Sequence, residues 1–202
     1  MRVLKKTIAL YCFNVFGLSA FFLSLTFMLD LPLKHDTSMG LVSHKDFCLQ
    51  ILFCLVIEDL LFYTSHRILH TKWMYQHVHK VHHEYVVTIS LAAVYTHPIE
   101  FVLGNLVPLV AGPMILGTHM HISTVFTWFA GRTFSTLDGH SGYEFSFSPF
   151  NMKQSDSGYH AYHHLHNIGN YGSFFIFWDS ILGTNKAYFK FLKEQEKPQK
   201  AE

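Results

Sequence analysis

An uncharged run of twenty-three residues near the N-terminus constrains most strongly what this chain can fold into. The run extends from Thr7 to Leu29 and follows the basic residues Arg2, Lys5 and Lys6. As an α-helix rising about 1.5 Å per residue, it reaches about 34 Å, enough to cross a hydrocarbon core of about 30 Å. It is longer than the apolar core of a signal peptide, about 7–15 residues, and a predicted turn at 30–33 follows it instead of a cleavage site. The run therefore predicts a membrane helix.

Two further apolar stretches extend the membrane interpretation. The stretch 47–63 carries Glu58 and Asp59 near its end, so only its first part is expected to face lipid. The stretch 99–134 is interrupted by proline and glycine and predicts a helical hairpin or a re-entrant pair. Only 14% of the residues are charged, against about 25% in a soluble domain. The expected fold class is an all-α integral membrane protein with a histidine-rich di-metal domain on its cytosolic side.

The distribution of basic residues predicts the orientation. By the positive-inside rule the N-terminus is cytosolic, the 30–46 loop is lumenal, and all the histidine-rich segments emerge on the cytosolic side. We expect three parts: an N-terminal membrane helix and loop (1–46), a membrane and catalytic domain (47–190) and a charged tail (191–202).

Composition excludes several classes of function. A net charge of +1 without a basic block argues against nucleic-acid binding. Three scattered cysteines argue against a disulfide scaffold or a cysteine-ligated zinc site. The chain has no dinucleotide fingerprint and no haem domain of its own, so electrons for redox chemistry would come from a separate protein.

Eight of the sixteen histidines lie in three short boxes with regular spacing. The boxes consist of His66 and His70, of His79, His82 and His83, and of His160, His163 and His164. Spacings of three and four residues place side chains on one face of an α-helix, and a metal ion needs ligands that converge to about 2 Å from a shared point. Imidazole suits zinc, copper, iron or nickel. Eight histidines exceed the needs of one ion, so the boxes predict two metals.

Residues outside the boxes are less distinctive. Asp59 falls on the same helical stripe as His66 and His70, and we expect it to orient the first box as an outer hydrogen-bond partner. Alternatively, Glu58 and Asp59 simply end a helix at the membrane interface. Judged from their surroundings alone, His97 and His140 are ordinary core or interface histidines. The same interpretation applies to His35, His44, His77, His119, His121 and His166.

These boxes and their neighbours resemble the fatty acid hydroxylase superfamily, most closely its C4-methyl sterol oxidase branch. The segments that carry the resemblance are Glu58–His70, His77–Glu84, Tyr95–Glu100, Asp138–Tyr143, His163–His164, Ile168–Gly172 and Phe177–Thr184. The resemblance implies a non-haem di-iron centre, with zinc able to replace iron in a purified sample. It also implies an endoplasmic-reticulum membrane enzyme that uses O2 and electrons from cytochrome b5 or its reductase.

The resemblance adds two ligands, because His97 and His140 match histidines that recur in this branch. The expected ligands are then His66, His70, His79, His82, His83, His97, His140, His160, His163 and His164. Three departures weaken the inference of a substrate. The part before the first box is short, Ala161 stands where an acidic residue is common, leaving Asp156 or a water to compensate, and Asn185 stands where aspartate is frequent.

The function expected from these features is oxidation of a lipid C–H group. Hydroxylation, successive oxidation of a sterol methyl group and desaturation remain open, as do sterol, sphingoid and fatty acyl substrates. A di-zinc membrane hydrolase and a catalytically silent membrane protein are the alternatives from other classes. Phe101, Trp128, Phe134 and Tyr143 are candidate pocket walls, or else ordinary membrane aromatics.

Overall fold

Helices account for all the regular secondary structure in the part of the chain that the computed structural model describes, which is residues 2–29, 35–38, 40, 42–145 and 157–196. Within those residues β-structure is limited to an isolated bridge between Asp36 and His121. The all-helical expectation is confirmed. The predicted turn at 30–33, Asp156 and the end of the tail at 197–202 lie outside the described residues.

The N-terminal run forms a nearly continuous helical rod. It consists of α1 (Arg2–Tyr11), a π-helical segment (Cys12–Leu18) and α2 (Ser19–Met28). The stretch Val3–Met28 is long and apolar enough to cross a membrane, and only 6% of its apolar 18-residue window is buried inside the protein. On the protein side, the side-chain amide of buried Asn14 donates to the carbonyl of Thr96 at 2.9 Å. The remaining apolar surface is what a lipid-facing helix requires.

The second apolar stretch belongs to one long helix that continues into the first histidine box, as the predicted stripe requires. Helix α3 spans His44–Leu69, starting at Ser43, whose hydroxyl accepts a hydrogen bond from the Asp46 amide. Because no proline or glycine interrupts it, the helix continues past Tyr63 and carries the first histidine box on its last turns. Asp59, Tyr63 and His66 are all buried, so the predicted stripe is one inward face.

The third apolar stretch folds as the predicted helical hairpin. Its first arm comprises α5 (Pro98–Glu100), a π-helical segment (Phe101–Leu106) and α6 (Val107–Leu116), and a short turn (Gly117–His119) leads to α7 (Ile122–Gly139). Gly117 makes the turn with a φ of +50°, which a residue with a Cβ rarely adopts. The arm Pro98–His119 is the third candidate membrane span, after Val3–Met28 and His44–Leu69.

Four shorter α-helices and two 3-10 helices, His79–Glu84 and Ser90–Val94, complete the described fold. The α-helices are α4 (Lys72–His77), α8 (Ser157–His166), α9 (Phe177–Leu182) and α10 (Lys186–Gln195). Helix α10 crosses the predicted domain boundary at 190 and buries Tyr188 with its ring 5.0 Å from that of Tyr159.

The polar segments gather at one end of the three candidate spans. Lys6 near the start of the first span pairs with Glu84 at 2.7 Å, next to the histidine boxes. At the opposite end, Gln50 of α3 donates to the carbonyl of His119. This arrangement agrees with the expectation that the histidine-rich segments share one side of the membrane. Which side is cytosolic stays a prediction.

Helices α3 and α6 pack closely at Gly112. A Cβ atom at this position would lie 2.9 Å from both the Cα and the Sγ of Cys54, closer than side chains approach. Cys54 belongs to a buried cluster with Met120, Val125 and Trp128. Small residues at such contacts let membrane helices approach each other.

We expect Gly112→Ala to destabilise the protein by about 1–3 kcal/mol, because the added methyl group must push α3 and α6 apart. Gly131→Ala in α7 is the matched control: nothing lies within 4 Å of its Cβ position, and alanine favours a helix over glycine by up to about 1 kcal/mol. Thermal unfolding in detergent should show a lower Tm for the first variant and an equal or higher Tm for the second. An unchanged Tm in Gly112→Ala would contradict the close packing.

Candidate metal centre

Three different local structures carry the histidine boxes. The first box ends α3, with His66 in its last turns and His70 as its C-cap residue, and the third lies on α8 as expected. The second box departs from the predicted α-helix, because His79–Glu84 forms a 3-10 helix. Val78, at φ −123° and ψ −67°, interrupts the α-helical path just before it. Three residues per turn instead of 3.6 then bring the histidines of this box close together.

Five histidines from all three boxes form the first cluster. One ring nitrogen of each lies within 4.8 Å of those of the others, and the members are His66, His70, His79, His83 and His163. The Nε2 atom of His70 lies 3.1 Å from that of His163 and 3.0 Å from that of His79. His83 Nε2 lies 3.0 Å from His79 Nε2.

Four further histidines form the second cluster beside the first. Its members, with nitrogens again within 4.8 Å of one another, are His82, His140, His160 and His164. The Nε2 atom of His160 lies 2.9 Å from that of His140 and 3.1 Å from that of His164. The clusters adjoin, since the ring centroids of His83 and His164 are 4.6 Å apart.

Backbone carbonyls fix the tautomers of most of these rings. The Nδ1 atoms of His66, His82, His140, His163 and His164 each lie 2.6–3.3 Å from a backbone carbonyl oxygen. A carbonyl only accepts, so each Nδ1 carries the proton and each Nε2 presents a lone pair. Lone pairs that face each other at about 3 Å repel unless a cation lies between them. Nitrogens that share one ion at about 2.1 Å each are about 3 Å apart, so both clusters fit a metal ion.

Comparison with known proteins agrees with this geometry. Residues 51–184 match the family model described as fatty acid hydroxylase. The chain belongs to the fatty acid hydroxylase family. Among the solved structures none matches.

Relatives within the family carry several different names. The chain is 44% identical over 172 residues to very-long-chain aldehyde decarbonylase GL1-8 of Oryza sativa subsp. indica, which covers 83% of this chain and 60% of that protein. It is 41% identical over 165 residues to methylsterol monooxygenase 2-2 of Arabidopsis thaliana, with 78% and 61% covered. Human fatty acid hydroxylase domain-containing protein 2 is 38% identical over 103 residues, covering 51% and 30%. The chain thus spans about 60% of the length of the plant relatives.

The structure does not bring His97 into either cluster of this hydroxylase-family site. Its ring is partly buried and its Nδ1 accepts a hydrogen bond from the amide of Ile99, so His97 caps the start of α5. The resemblance alone suggested it as a ligand, and the cap explains why a histidine precedes Pro98. The other nine expected ligands all lie in the two clusters.

Glu100 is a functional candidate to which the sequence analysis gave no role. Its buried carboxylate lies 2.8 Å from the Nδ1 atom of His79. A carboxylate that accepts from a ligating histidine fixes the ring and makes its other nitrogen more basic. An acidic residue inside an apolar run, three residues after His97, was the signal that could have found it.

Asp59 acts on a loop rather than directly on a histidine. Its Oδ1 atom accepts from the amides of Phe174 at 3.1 Å and Phe175 at 3.0 Å. These residues follow Tyr171, whose carbonyl oxygen lies 3.0 Å from the Nδ1 atom of His66. The expected link between Asp59 and the first box is therefore indirect, through the backbone of this loop.

Two more carboxylates hold the same loop. Glu58 accepts from the hydroxyl of Ser173 and from Arg132 of α7. Asp179 of α9 accepts from the amides of Tyr171 and Gly172 at 2.9 and 2.6 Å. Asp179 lies in a segment that carries the family resemblance, but the sequence predicted no role for it. Nothing in the spacing of the boxes indicates its contact with the amides of Tyr171 and Gly172.

The remaining histidines and the candidate pocket walls are mostly ordinary. Exposed His77 stacks on Trp73 with ring centroids 4.7 Å apart. In the described part of the chain, neither His77 nor the five others, His35, His44, His119, His121 and His166, join a cluster. Trp128 packs in the core at the far end from the site, and Phe134 and Tyr143 are exposed. Of the four proposed walls, Phe101 borders an apolar cavity that adjoins the site.

Burial keeps the clustered rings neutral. It lowers the pKa of His140 to about 4 and that of His83 to about 3, from about 6.5 in the free residue. The pKa values of His79, His82, His160 and His163 are lowered for the same reason. Neutral imidazole is the form that binds a metal.

We expect His163→Ala and His82→Ala each to reduce the metal content, because each removes a member of a different cluster. Metal analysis of the detergent-purified protein should find two ions per chain in the parent and about one or fewer in either variant. His77→Ala, exposed and outside both clusters, should retain both ions. Two ions in both cluster variants would refute the ligand assignment.

Acidification should destabilise the metal-free protein. Because folding lowers the histidine pKa values, the unfolded chain binds more protons below pH 6.5, so folding stability falls as the pH drops towards the folded pKa of about 4 for His140. We expect the Tm of chelator-treated protein to fall by about 5 °C or more between pH 7 and pH 5.5. A Tm that stays constant or rises over this interval would contradict burial of neutral rings.

Proposed function

We propose that this member of the fatty acid hydroxylase family is a membrane-bound non-haem di-iron oxidoreductase that oxidises a lipid C–H group. The observation that carries the proposal is the pair of adjoining histidine clusters, in which carbonyl-bound rings direct their Nε2 lone pairs to two shared points. When bound, the two irons supply the activation of O2.

The residues of the chain have three tasks around such a centre. The nine clustered histidines hold the ions, and the carbonyls of Tyr85, Tyr95, Thr136, Gly169 and Tyr171 orient their rings. Glu100 adds a carboxylate behind His79. The candidate membrane helices and their apolar side chains keep water from the reacting lipid.

A sterol C4-methyl group is the first candidate substrate. The sequence resembles the C4-methyl sterol oxidase branch, and methylsterol monooxygenase 2-2 is 41% identical. The similarly close aldehyde decarbonylase, at 44%, favours a very-long-chain aldehyde as the second candidate. Fatty acyl or sphingoid substrates are further members of the same chemical class.

The remaining parts of the proposal follow from the same family. We place the protein in the endoplasmic-reticulum membrane with the histidine end in the cytosol, where cytochrome b5 and its reductase deliver electrons. The rival di-zinc hydrolase would normally mix carboxylate bridges with histidines. In the described part of the chain both candidate metal groups consist of histidine alone, which favours the oxygenase.

Lipid profiling of cells that lack the protein tests the function. We expect 4-methyl sterols to accumulate, and the accumulation to be reversed by the parent protein but not by His163→Ala. His77→Ala, which leaves both clusters intact, should restore the profile like the parent.

The alternative outcomes separate the candidates. Accumulation of very-long-chain aldehydes instead would favour the second substrate. A purified protein that is active with stoichiometric zinc and without O2 would overturn the oxidoreductase proposal.

A further inference from the structure

An apolar cavity of about 280 Å³ lies among the three candidate spans and α7. Its walls include Tyr11 and Val15 of the first span, Phe101 and Leu109 of the third, and Leu137 of α7. All three candidate spans contribute to these walls, the second through Glu58 and Phe62. The lining of the cavity suits the apolar body of a lipid.

This cavity meets a smaller one that borders the histidine clusters. The smaller cavity, about 60 Å³, is bordered by His66 and His79 of the first cluster and by His82, His140 and His160 of the second. The two cavities share Phe62, Ala93, Gly104, Asn105, Arg132 and Thr136, which we call the junction.

The junction lies close to the candidate ligands. The ring centroids of Phe62 and His66 are 5.2 Å apart, and the carbonyl oxygen of Thr136 lies 2.9 Å from the Nδ1 atom of His140. A lipid whose body fills the apolar cavity therefore passes the junction to reach the clusters.

The polar side chains of the junction differ in whether they have partners. Arg132 binds Glu58 at 2.8 Å, which neutralises its charge, and the Thr136 hydroxyl donates to the Arg132 carbonyl. Asn105 makes no hydrogen bond with any residue that the structure describes. Its side chain is only partly buried and borders both cavities.

An unpaired side-chain amide in a candidate membrane span is costly. Asn105 lies in the third candidate span, in the π-helical segment Phe101–Leu106. A polar side chain in an apolar environment costs free energy unless it is hydrogen-bonded, and π-helical turns occur frequently at functional sites. A bound molecule with a polar atom at the junction would satisfy this amide.

We propose that Asn105 binds the uncharged polar group of the lipid substrate, a hydroxyl or a carbonyl, and thereby determines which carbon faces the metal clusters. An amide both donates and accepts, so a hydroxyl can use both functions. A carboxylate is disfavoured, because Arg132, the cationic side chain of the junction, is already paired with Glu58. This inference rests on the proposed oxidation of a lipid, and it makes Asn105 a specificity residue of that reaction.

Equilibrium binding with matched probes tests the inference without requiring turnover. The probes are a 4,4-dimethyl sterol with a free 3-hydroxyl, its 3-deoxy analogue, octadecanal, octadecane and oleate, each presented in detergent micelles to the full chain. The parent protein should bind the hydroxylated sterol about tenfold more tightly than the deoxy analogue, the effect of one well-formed hydrogen bond. Asn105→Leu, of similar volume, should bring the ratio of the two Kd values to about one.

Two further variants test whether a change in the Kd ratio comes from loss of the amide or from loss of folding. Asn105→Gln keeps the amide and should restore part of the preference, whereas Asn105→Ala removes it without adding bulk. Asn14→Leu is the matched control, because the Asn14 amide already donates to the Thr96 carbonyl at 2.9 Å. It should lower the Tm and leave the Kd ratio unchanged.

The outcomes separate this inference from the proposed function. A Kd ratio that survives in both Asn105→Leu and Asn105→Ala, or tighter binding of oleate than of the sterol by the parent, would overturn the role of Asn105. An Asn105-dependent preference without any oxidation of the sterol would support the recognition site and contradict the sterol reaction. An Asn105-dependent preference for octadecanal over octadecane alone would support the site and favour the aldehyde substrate.

Discussion

The hydrogen bonds from histidine Nδ1 atoms to backbone carbonyls are the interaction on which the rest of this structure depends. They hold the rings of residues such as His66 and His163 in one tautomer and one orientation. Since each ring then presents its Nε2 lone pair to the same small volume, a cation becomes the natural partner of each cluster. Buried imidazoles with lowered pKa values remain neutral, so the clusters do not repel such an ion by their own charge.

The Tyr171 carbonyl, which binds His66, must itself be held in place, and buried carboxylates do this. Asp179 accepts hydrogen bonds from the amides of Tyr171 and Gly172, and Asp59 accepts from those of Phe174 and Phe175. Glu58 and Arg132 connect the same loop to α3 and α7. Charged groups are costly near the hydrocarbon core, and their contacts show that here they fix the geometry of the loop behind the histidines. Asn105 makes no hydrogen bond with any described residue and does not belong to this network. Its amide is therefore free for the substrate contact that we propose.

The scaffold of candidate membrane spans supports the proposed oxidation of a lipid. Three candidate membrane spans place the clusters at one end of the bundle, and the cavity between them leads towards the same end. Under the proposed function, this cavity is the route by which a lipid would reach the clusters. The family relation makes oxidation the expected chemistry, whereas the choice between a sterol and an aldehyde depends on contacts in the cavity.

The sequence by itself determined the helical membrane class, the family and the ten candidate ligands, because apolar length and box spacing are local properties of the chain. The tertiary structure alone decided that nine of these histidines gather in two clusters, and how those nine divide between them. The second box contributes His79 and His83 to one cluster and His82 to the other, and the third box likewise divides between both clusters. It also left His97 outside both clusters, placed the Glu100 carboxylate beside the Nδ1 atom of His79, and showed that Asp59 accepts from loop amides instead of from a histidine. These outcomes depend on distances between segments far apart in the chain, and spacing within a box carries no information about such distances.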